Sequence, residues 1–230
     1  FIGSSLRYDG TNWLVSVDTT TVPDDDCTYS CWYRQSNTDN DNNNLLRFGQ
    51  QSGNTGYAAV MFNGQADPSS EARSPVGRSL DADSFYKYYA PNVSCVDANG
   101  WYHIFWRSKR DSGTGHLEFN LWINGIEMPN KLQMTGFANH PAGIILGNSS
   151  FDIADEEIQG YYTEVFFVDG QYLEPTDVAN FDSRGVWVPK ADEQISETIT
   201  QGGGYGPMGF ELIMAPEYFS FDGTNWILQD

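Results

Sequence analysis

The sequence predicts an all-β protein, built as a two-sheet antiparallel jelly-roll sandwich. Apolar and polar residues alternate along many short segments, as in half-buried strands, whereas helical periodicity is rare. Turn signals recur at about the 8–12-residue spacing typical of sandwiches. The composition agrees, because 15% of the residues are aromatic and 23 are glycine, which suits strands joined by tight turns. A chain of 230 residues fits one large all-β domain or two small domains.

The charge balance excludes two classes of partner. The chain has 31 Asp and Glu residues against 12 Lys and Arg, which gives a net charge of −19. Nucleic acids and anionic membrane surfaces are bound by basic faces that displace counterions. The uncharged apolar runs fall far short of the ~18 residues that span a bilayer. We therefore expect no nucleic-acid partner and no membrane insertion.

The N-terminal part is predicted to be a series of short strands. Residues 5–8 and 13–17 flank Asp9-Gly10-Thr11-Asn12, which is typical of a hairpin turn. Further strands are predicted at residues 28–35, 45–50, 56–63 and 84–89. Two irregular segments separate them, an Asn- and Asp-rich loop at 36–44 and a Pro-, Ser- and Gly-rich excursion at 64–78.

The middle of the chain has the clearest strand pattern. Residues 101–107 form an aromatic strand, and residues 117–123 alternate strictly before Asn124-Gly125, the sequence of a type I′ turn. Two more strands are predicted at residues 143–147 and 161–168. Together with the N-terminal strands, they supply enough elements for two stacked sheets.

The C-terminal region combines a short helix, a linker and a repeat. Pro175 begins a predicted helix of one or two turns at 174–180, and the polar, Gly-rich segment 192–206 is predicted to be a linker. Residues 8–14 recur as residues 221–227, both containing Asp-Gly-Thr-Asn-Trp. We therefore assign residues 1–214 to the sandwich. Residues 215–230 form either its terminal strand pair or the start of a second repeat.

Four segments of the first 125 residues resemble one superfamily. They are residues 1–17 with their Tyr-Asp-Gly turn, 29–34, 100–104 (Gly-Trp-Tyr-His-Ile) and 119–125 (Phe-Asn-Leu-Trp-Ile-Asn-Gly). In order and spacing they resemble the laminin-G and concanavalin-A-like lectins and glucanases. In that superfamily a first strand carries an aromatic-Asp-Gly turn and a Trp-x-His strand lies mid-sheet. The resemblance implies a lectin-like jelly roll of the concanavalin-A-like type for residues 1–214.

The C-terminal third resembles a narrower group. Residues 160–171, 173–177, 185–190 and 204–210 follow one another as in the lectin-like modules of structural proteins from tailed, especially marine, bacteriophages. This resemblance implies a structural virion protein on a tail, fibre or capsid surface, and hence an extracellular particle as its location. Its partners would be other virion proteins or copies of itself, with host surface glycans as a further contact.

Fold resemblance leaves the function open, because this superfamily includes lectins, glycosidases, adhesion modules and scaffolds. The alternative to a virion protein is a stand-alone carbohydrate-binding lectin module, and a glycan hydrolase is the least favoured reading. Retaining hydrolases need two carboxyl groups about 5–5.5 Å apart, which acids alternating along one strand would provide. Glu118 and Glu164 are each the sole acid of their strands. We therefore predict no enzyme, and we expect His103 to be packed or hydrogen-bonded within the sheet.

Two kinds of binding residue are predicted. Calcium takes carboxylate and main-chain oxygens gathered by loops, and the candidate ligands are Asp24, Asp25 and Asp26 in one loop and Asp152 and Asp155 in another. The alternative for each loop is a solvated acidic surface. Exposed aromatic rings stack on sugar faces, and the candidate contacts are Tyr57, Tyr86, Tyr88 and Tyr161. Four tryptophans are assigned to the core or to the sheet faces, namely Trp32, Trp101, Trp106 and Trp122.

Overall fold

The computed structural model describes residues 5–9, 14–15, 25–35, 43–49, 57–63, 74–81, 84–89, 97, 100–129, 132–134, 143–147, 159–207, 209–212, 219–221 and 226–228. In chain order the elements are β1 (Leu6–Asp9), β2 (Leu14–Val15), β3 (Cys27–Gln35), β4 (Asn43–Gly49), β5 (Tyr57–Asn63), β6 (Ser74–Asp81), β7 (Ser84–Tyr89), β8 (Tyr102–Arg110), β9 (Leu117–Ile123), β10 (Ile126–Glu127), β11 (Leu132–Met134), β12 (Gly143–Leu146), β13 (Gln159–Asp169), α1 (Pro175–Val178), β14 (Ala179–Phe181), β15 (Trp187–Pro189), α2 (Asp192–Gln201), β16 (Phe210–Leu212), β17 (Phe219–Phe221) and β18 (Trp226–Leu228). Neither helix is long and apolar enough to cross a membrane within these ranges.

Two antiparallel sheets form the sandwich. The larger sheet has the order β1-β13-β3-β8-β9-β10, with β11 also paired to β9 and β16 to β13. The smaller sheet has the order β2-β12-β4-β5-β6-β7. Strands that follow each other in the chain, such as β1 and β2 or β12 and β13, belong to different sheets, as in a jelly roll. The predicted fold class is confirmed.

The first hydrophobic core lies between the two sheets. Because side chains alternate along a strand, one face of β3, β8, β9 and β13 supplies most of this core. Its largest members from the larger sheet are Tyr29, Tyr33, Trp106, Phe119, Tyr162 and Phe167, and the smaller sheet contributes Leu45, Leu46 and Leu146. The hydroxyl of Tyr162 donates a hydrogen bond to the main-chain oxygen of Leu45 at 3.0 Å, which joins the two sheets directly.

A second core covers the opposite, outer face of the larger sheet. Residues 171–205, here called the C-terminal cap, contain α1, the β14–β15 hairpin and α2. The sheet contributes Trp32, Phe105, Trp122, Phe166 and Val168, and the cap contributes Leu173, Val178, Ala179, Trp187, Ile195 and Ile199. The central strands β3 and β8 are therefore buried on both faces.

The predicted linker at residues 192–206 is wrong, because most of this segment is helix α2 packed on the sheet. Ile195 and Ile199 lie one turn apart on the same helix face and are both buried. Two apolar residues make a weak periodic signal. They suffice here because the aromatic outer face of the sheet supplies the rest of the apolar contact.

The Asn124-Gly125 turn forms as predicted. The φ angles are 49° at Asn124 and 77° at Gly125, and a type I′ turn needs positive φ at both residues. Ile123 pairs with Ile126 across the turn. A Cβ on Gly125 would lie 2.9 Å from the Trp187 ring, so the turn also provides the flat surface on which the cap packs.

Two other sequence predictions are corrected. The predicted hairpin around residues 9–12 does not form, because β1 pairs with β13 and β2 pairs with β12 in the other sheet. The predicted excursion at 64–78 overlaps β6, which pairs with β5 from Ser74 onward. In the first case both strand partners are distant in sequence, and local turn residues do not specify them. In the second case β6 pairs with the strand that precedes it in the chain, and it begins earlier than the Pro-, Ser- and Gly-rich composition suggests.

Candidate functional site

The outer face of the larger sheet ends in a cluster of two aromatic rings around one arginine. This cluster, the Arg34 cage, consists of Arg34, Trp101 and Tyr161. The guanidinium carbon of Arg34 lies 4.3 Å from the centre of the Tyr161 ring and 5.3 Å from that of the Trp101 ring. All three side chains are partly exposed. Because cation–π attraction holds a guanidinium over a ring, the cage fixes a positive charge at the surface of an acidic protein.

The register of the strands places these residues side by side. Arg34 of β3 pairs with Tyr161 of β13, and Arg7 of β1 pairs with Tyr161 from the other side. Residues directly opposite each other lie on the same sheet face, so the exposed Arg7 continues the row. Gly160 permits the close approach, because a Cβ there would lie 2.5 Å from the main-chain oxygen of Arg34.

Arg34 has no carboxylate partner among the residues that the structure describes. Three other arginines of the same chain do have one. Arg107, Arg110 and Arg184 have nitrogen-to-carboxylate-oxygen distances of 2.5, 2.5 and 2.8 Å. Among the described residues, Arg34 therefore differs from these three arginines, although acids outnumber bases in this chain.

A second arginine, at the opposite end of the same sheet face, also contacts one tryptophan and one tyrosine ring. This Arg107 cage consists of Arg107, Trp122 and Tyr172, with the guanidinium carbon 4.6 and 3.9 Å from the two ring centres. Arg107 donates a hydrogen bond to the main-chain oxygen of Leu173 at 2.8 Å and pairs with Glu174 at 2.5 Å. The chain therefore closes this cage with its own carboxylate, and the contact attaches the cap to the sheet.

Between the two cages, His103 also attaches the cap. The indole Nε1 of Trp187 donates to His103 Nδ1 at 2.9 Å, so the ring proton must lie on Nε2, which is 2.8 Å from Ser30 Oγ. The main-chain N–H of His103 donates to Asn124 Oδ1 at 2.8 Å. Burial lowers the pKa of His103 to about 3. His103 is therefore a neutral, hydrogen-bonded residue of the sheet, as the sequence predicts.

A third cluster brings together acids that are distant in sequence. Glu164 lies at a register shift in β13 and has a φ of 49°. Burial first of all, then a hydrogen bond between Glu164 and Asp192 and the charges of Asp192 and Glu211, together raise the pKa of Glu164 to about 8. The hydroxyl of Tyr205 donates a hydrogen bond to Glu211. The cluster joins β13, β16 and the first turn of α2, and the protonated form of Glu164 is the one that this contact favours.

The four predicted glycan-contact tyrosines do not lie together. Tyr161 belongs to the larger sheet and to the Arg34 cage, whereas Tyr57, Tyr86 and Tyr88 are strand positions of the smaller sheet. The register of β5, β6 and β7 places position 57 on the face opposite to positions 86 and 88. The side chains of these three tyrosines lie outside the described part of the structure, so their role stays a prediction.

The predicted calcium ligands are only partly described. Three of them lie outside the described residues, namely Asp24, Asp152 and Asp155. Both carboxylate oxygens of Asp25 accept hydrogen bonds from Arg110, at 2.5 and 2.8 Å, and Asp26 is half-buried beside it. Within the described ranges, no three His, Cys, Asp or Glu residues are placed to hold a metal ion. Calcium binding stays a prediction, and a calcium ion bound by Asp25 would have to displace Arg110.

One further aromatic ring is well exposed, at the edge of the cap. Phe181 is 59% exposed and packs edge-on against Trp187, with ring centres 4.8 Å apart. Val186 and Ile126 are exposed nearby. This patch has no cation fixed over its rings among the described contacts, which distinguishes it from the Arg34 cage.

Sequence reasoning identified Tyr161 as a site residue but missed Arg34 and placed Trp101 among the structural tryptophans. The local sequence gives one indication of this site. Arg34 follows Trp32 by two positions and therefore lies on the same face of β3, which the cap otherwise covers. The site becomes visible only when the register aligns β3, the start of β8 and β13.

No protein-family model and no curated protein sequence matches this chain. Solved structures do match. A native heptameric SAP-like pentraxin from Limulus polyphemus matches with a TM-score of 0.52 and 10% identity, over 97% of this chain and 90% of that one. Domains LG4-5 of the mouse laminin α1 chain match with a TM-score of 0.52 and 10% identity, over 71% of this chain and 40% of that one.

A third match is domain 4 of a GH43 extracellular arabinanase from Geobacillus stearothermophilus, in complex with arabinotriose. The TM-score is 0.50 and the identity 14%, over 86% of this chain and 77% of that one. At these identities the likeness concerns the fold. The chain is a lectin-like jelly-roll sandwich, as in laminin G domains and pentraxins, which confirms that part of the sequence resemblance.

Proposed function

We propose that this protein is a carbohydrate-binding module and that the Arg34 cage is its ligand contact. One observation carries the proposal. Trp101 and Tyr161 are partly exposed rings held on either side of the Arg34 guanidinium, at an end of the sheet that the cap does not bury completely. Rings offer an apolar surface to the C–H face of a sugar, and the guanidinium offers hydrogen-bond donors to its oxygens.

The fold supports the same class of function. The arabinanase domain was determined with arabinotriose bound, so a sandwich of this kind can carry a saccharide. A shared fold does not name the sugar or the contact residues. The proposal therefore rests on the cage residues of this chain, and the shared fold supports only the general class of function.

The virion role stays a prediction from the sequence resemblance. None of the three matching structures named above is a bacteriophage protein. A tail, fibre or capsid-surface module that contacts host glycans would need the same binding surface, so the two proposals are compatible. The predicted location on a virion surface rests on the same resemblance.

We further propose binding without hydrolysis. Glu164, Asp192 and Glu211 form one group of converging carboxyls in the described part of the chain, and they belong to the contact between the cap and β13. Asp25, Asp26 and Asp169 form another around the buried Cys27, and Asp25 is paired with Arg110. A hydrolase would need two such groups on either side of a bound glycosidic bond. A reducing-sugar assay on every glycan that binds should show no release. Release that is lost in Glu164→Gln would make the protein an enzyme.

The proposal is tested by glycan-array binding of the wild type and two ring variants. Tyr161→Thr removes a cage ring but keeps a residue suited to a strand, and we expect it to abolish most of the binding. Phe181→Ala is the matched control, because it removes an exposed ring outside the cage. Binding that survives Tyr161→Thr and is lost in Phe181→Ala would move the site to the edge of the cap. A wild type that binds no glycan would refute the proposal.

A further inference from the structure

We infer that the Arg34 cage takes an anionic saccharide, which it binds through a sugar carboxylate. The inference rests on the proposed carbohydrate-binding function and narrows it to acidic sugars. It comes from a comparison within the molecule, because the same sheet face contains one cage that is already occupied by a carboxylate.

The Arg107 cage shows what this arrangement of residues binds. In both cages one guanidinium contacts the rings of one tryptophan and one tyrosine. In the Arg107 cage the guanidinium Nη1, which also donates to the main-chain oxygen of Leu173, lies 2.5 Å from a carboxylate oxygen of Glu174. Glu174 is 57% exposed, so the carboxylate reaches the arginine from the solvent side. A guanidinium that contacts rings through its faces keeps its N–H groups in its own plane, where a carboxylate fits.

The Arg34 cage has the same parts without the carboxylate. Among the described residues, no acid takes the place that Glu174 occupies in the other cage. The two rings restrain the Arg34 side chain, so a ligand would lose little affinity to ordering it. The site is therefore preorganised for an anion.

A second cation extends the site. Arg7 pairs with Tyr161 in the register of β1 and β13 and is exposed. The row Arg7, Tyr161, Arg34 thus places a positive charge on both sides of one ring. A sugar that stacks on Tyr161 would have a basic group at either edge, which suits a charged sugar better than a neutral one.

The net charge of −19 does not argue against an acidic ligand. Repulsion between distant charges is screened beyond about 8 Å at physiological ionic strength. An ion pair at contact distance is screened much less. Among the described residues, Arg34 and Arg7 would then offer an acidic ligand a local positive charge on an otherwise acidic protein.

The test uses pairs of glycans that differ only in charge. Galacturonan, alginate and hyaluronan oligosaccharides and sialosides are immobilised beside their carboxyl-reduced counterparts, and affinities are measured for each bound pair. We expect the carboxylate form to bind at least tenfold more tightly. Arg34→Gln should lower the affinity for the acidic form at least tenfold, and Arg34→Lys, which keeps the charge without the planar fork, should lower it less.

Arg184→Gln is the matched control, because it removes one exposed arginine charge outside the cage and should leave binding unchanged. Thermal unfolding of each variant shows whether the fold is intact. Equal affinity for acidic and reduced forms, or full affinity in a folded Arg34→Gln protein, would overturn the inference while leaving the proposed function in place. Binding only to sulfated glycans on the same array would overturn the carboxylate assignment. A wild type that binds no glycan at all would refute both.

Discussion

The two arginine cages lie on one sheet face and differ in what completes them. Arg107 is 11% exposed and is completed from within the chain, by Glu174 and by the main-chain oxygen of Leu173. Arg34 is partly exposed and is completed by no described acid. Because the ring contacts are alike, the difference comes from the segment that follows β13. This segment crosses the Arg107 end of the sheet at residues 171–174.

If the proposed function is right, similar clusters serve stability at one position and recognition at another. A buried charge must be paired, because leaving it unpaired costs several kcal/mol. A partly exposed charge tolerates the lack of a partner, since water solvates it. The Arg107 cage should therefore determine how firmly the cap is held, and the Arg34 cage should affect binding with little effect on stability.

The largest effect on stability is expected at the Arg107 cage. Arg107→Met keeps an apolar stem but removes the ion pair, the hydrogen bond to Leu173 and two ring contacts. We expect the free energy of unfolding to fall by about 3 kcal/mol, measured by chemical denaturation. Glu174→Gln is the control and should cost about 1 kcal/mol or less, because Glu174 is half-exposed. An Arg107→Met protein as stable as Arg34→Met would remove the distinction between the cages.

The next effect concerns His103, which lies between the cages. Its folded pKa of about 3 is below the ordinary value near 6.5, so the folded state resists protonation and the unfolded state does not. Stability should therefore be complete above about pH 6.5 and decrease as the pH falls, by about 2 kcal/mol between pH 7 and pH 5.

In the His103→Gln variant the free energy of unfolding should not show this decrease between pH 7 and pH 5, because an amide does not titrate in this range. Unfolding curves at several pH values give the comparison. Equal acid slopes in the two proteins, or an NMR titration of His103 near pH 6.5, would contradict the prediction.

Glu164 should act in the opposite direction, because it lowers the stability of the fold as the pH rises from about 4.5 to about 8. Its folded pKa of about 8 is above the ordinary value, so stability is complete below about pH 4.5 and decreases as the pH rises through about 8. Ionised Glu164 would face Asp192 and Glu211 and weaken the contact of α2 with β13. We expect a loss of about 1 kcal/mol between pH 6 and pH 9 after solvent screening.

Glu164→Gln should remove this decrease in the free energy of unfolding with rising pH. Glu193→Gln is the matched control, because Glu193 is an exposed acid of the same first helical turn. If both variants retain the wild-type slope, the acidic cluster does not control the attachment of the cap.

The smallest effect on stability is expected at the Arg34 cage. Arg34→Gln should change the free energy of unfolding by about 1 kcal/mol or less, since partly exposed cation–π contacts contribute about that much. The same variant is expected to have the largest effect on acidic-glycan affinity. A large loss of stability with unchanged binding would show that the Arg34 cage is structural, like its counterpart.

Much of the fold could be predicted because the pattern that encodes it is local. Alternation along β9 and the Asn124-Gly125 turn predict a hairpin, and Ile123 pairs with Ile126 accordingly. The cap could not be predicted this way, since α2 has only Ile195 and Ile199 on its buried side. Its stability comes from the aromatic sheet face beneath it, which is encoded elsewhere in the chain.

The repeated heptapeptide separates local from tertiary information most clearly. Around the first copy, β1 and β2 join different sheets. In the second copy Phe221 pairs with Trp226, so β17 and β18 pair with each other. Nearly identical residues thus enter two pairing arrangements, because a strand pairs with the edge that is available to it. Both alternatives for residues 215–230 are compatible with this pairing.

The sequence by itself determined the class of fold and which residues of a single strand share a face, because both follow from the two-residue period of a strand. The tertiary structure decided which arginine meets a carboxylate and which meets none among the described residues. Arg34, Trp101 and Tyr161 are distant in the chain and meet only through the register of β3, β8 and β13. That register depends on contacts among the strands rather than on any one segment.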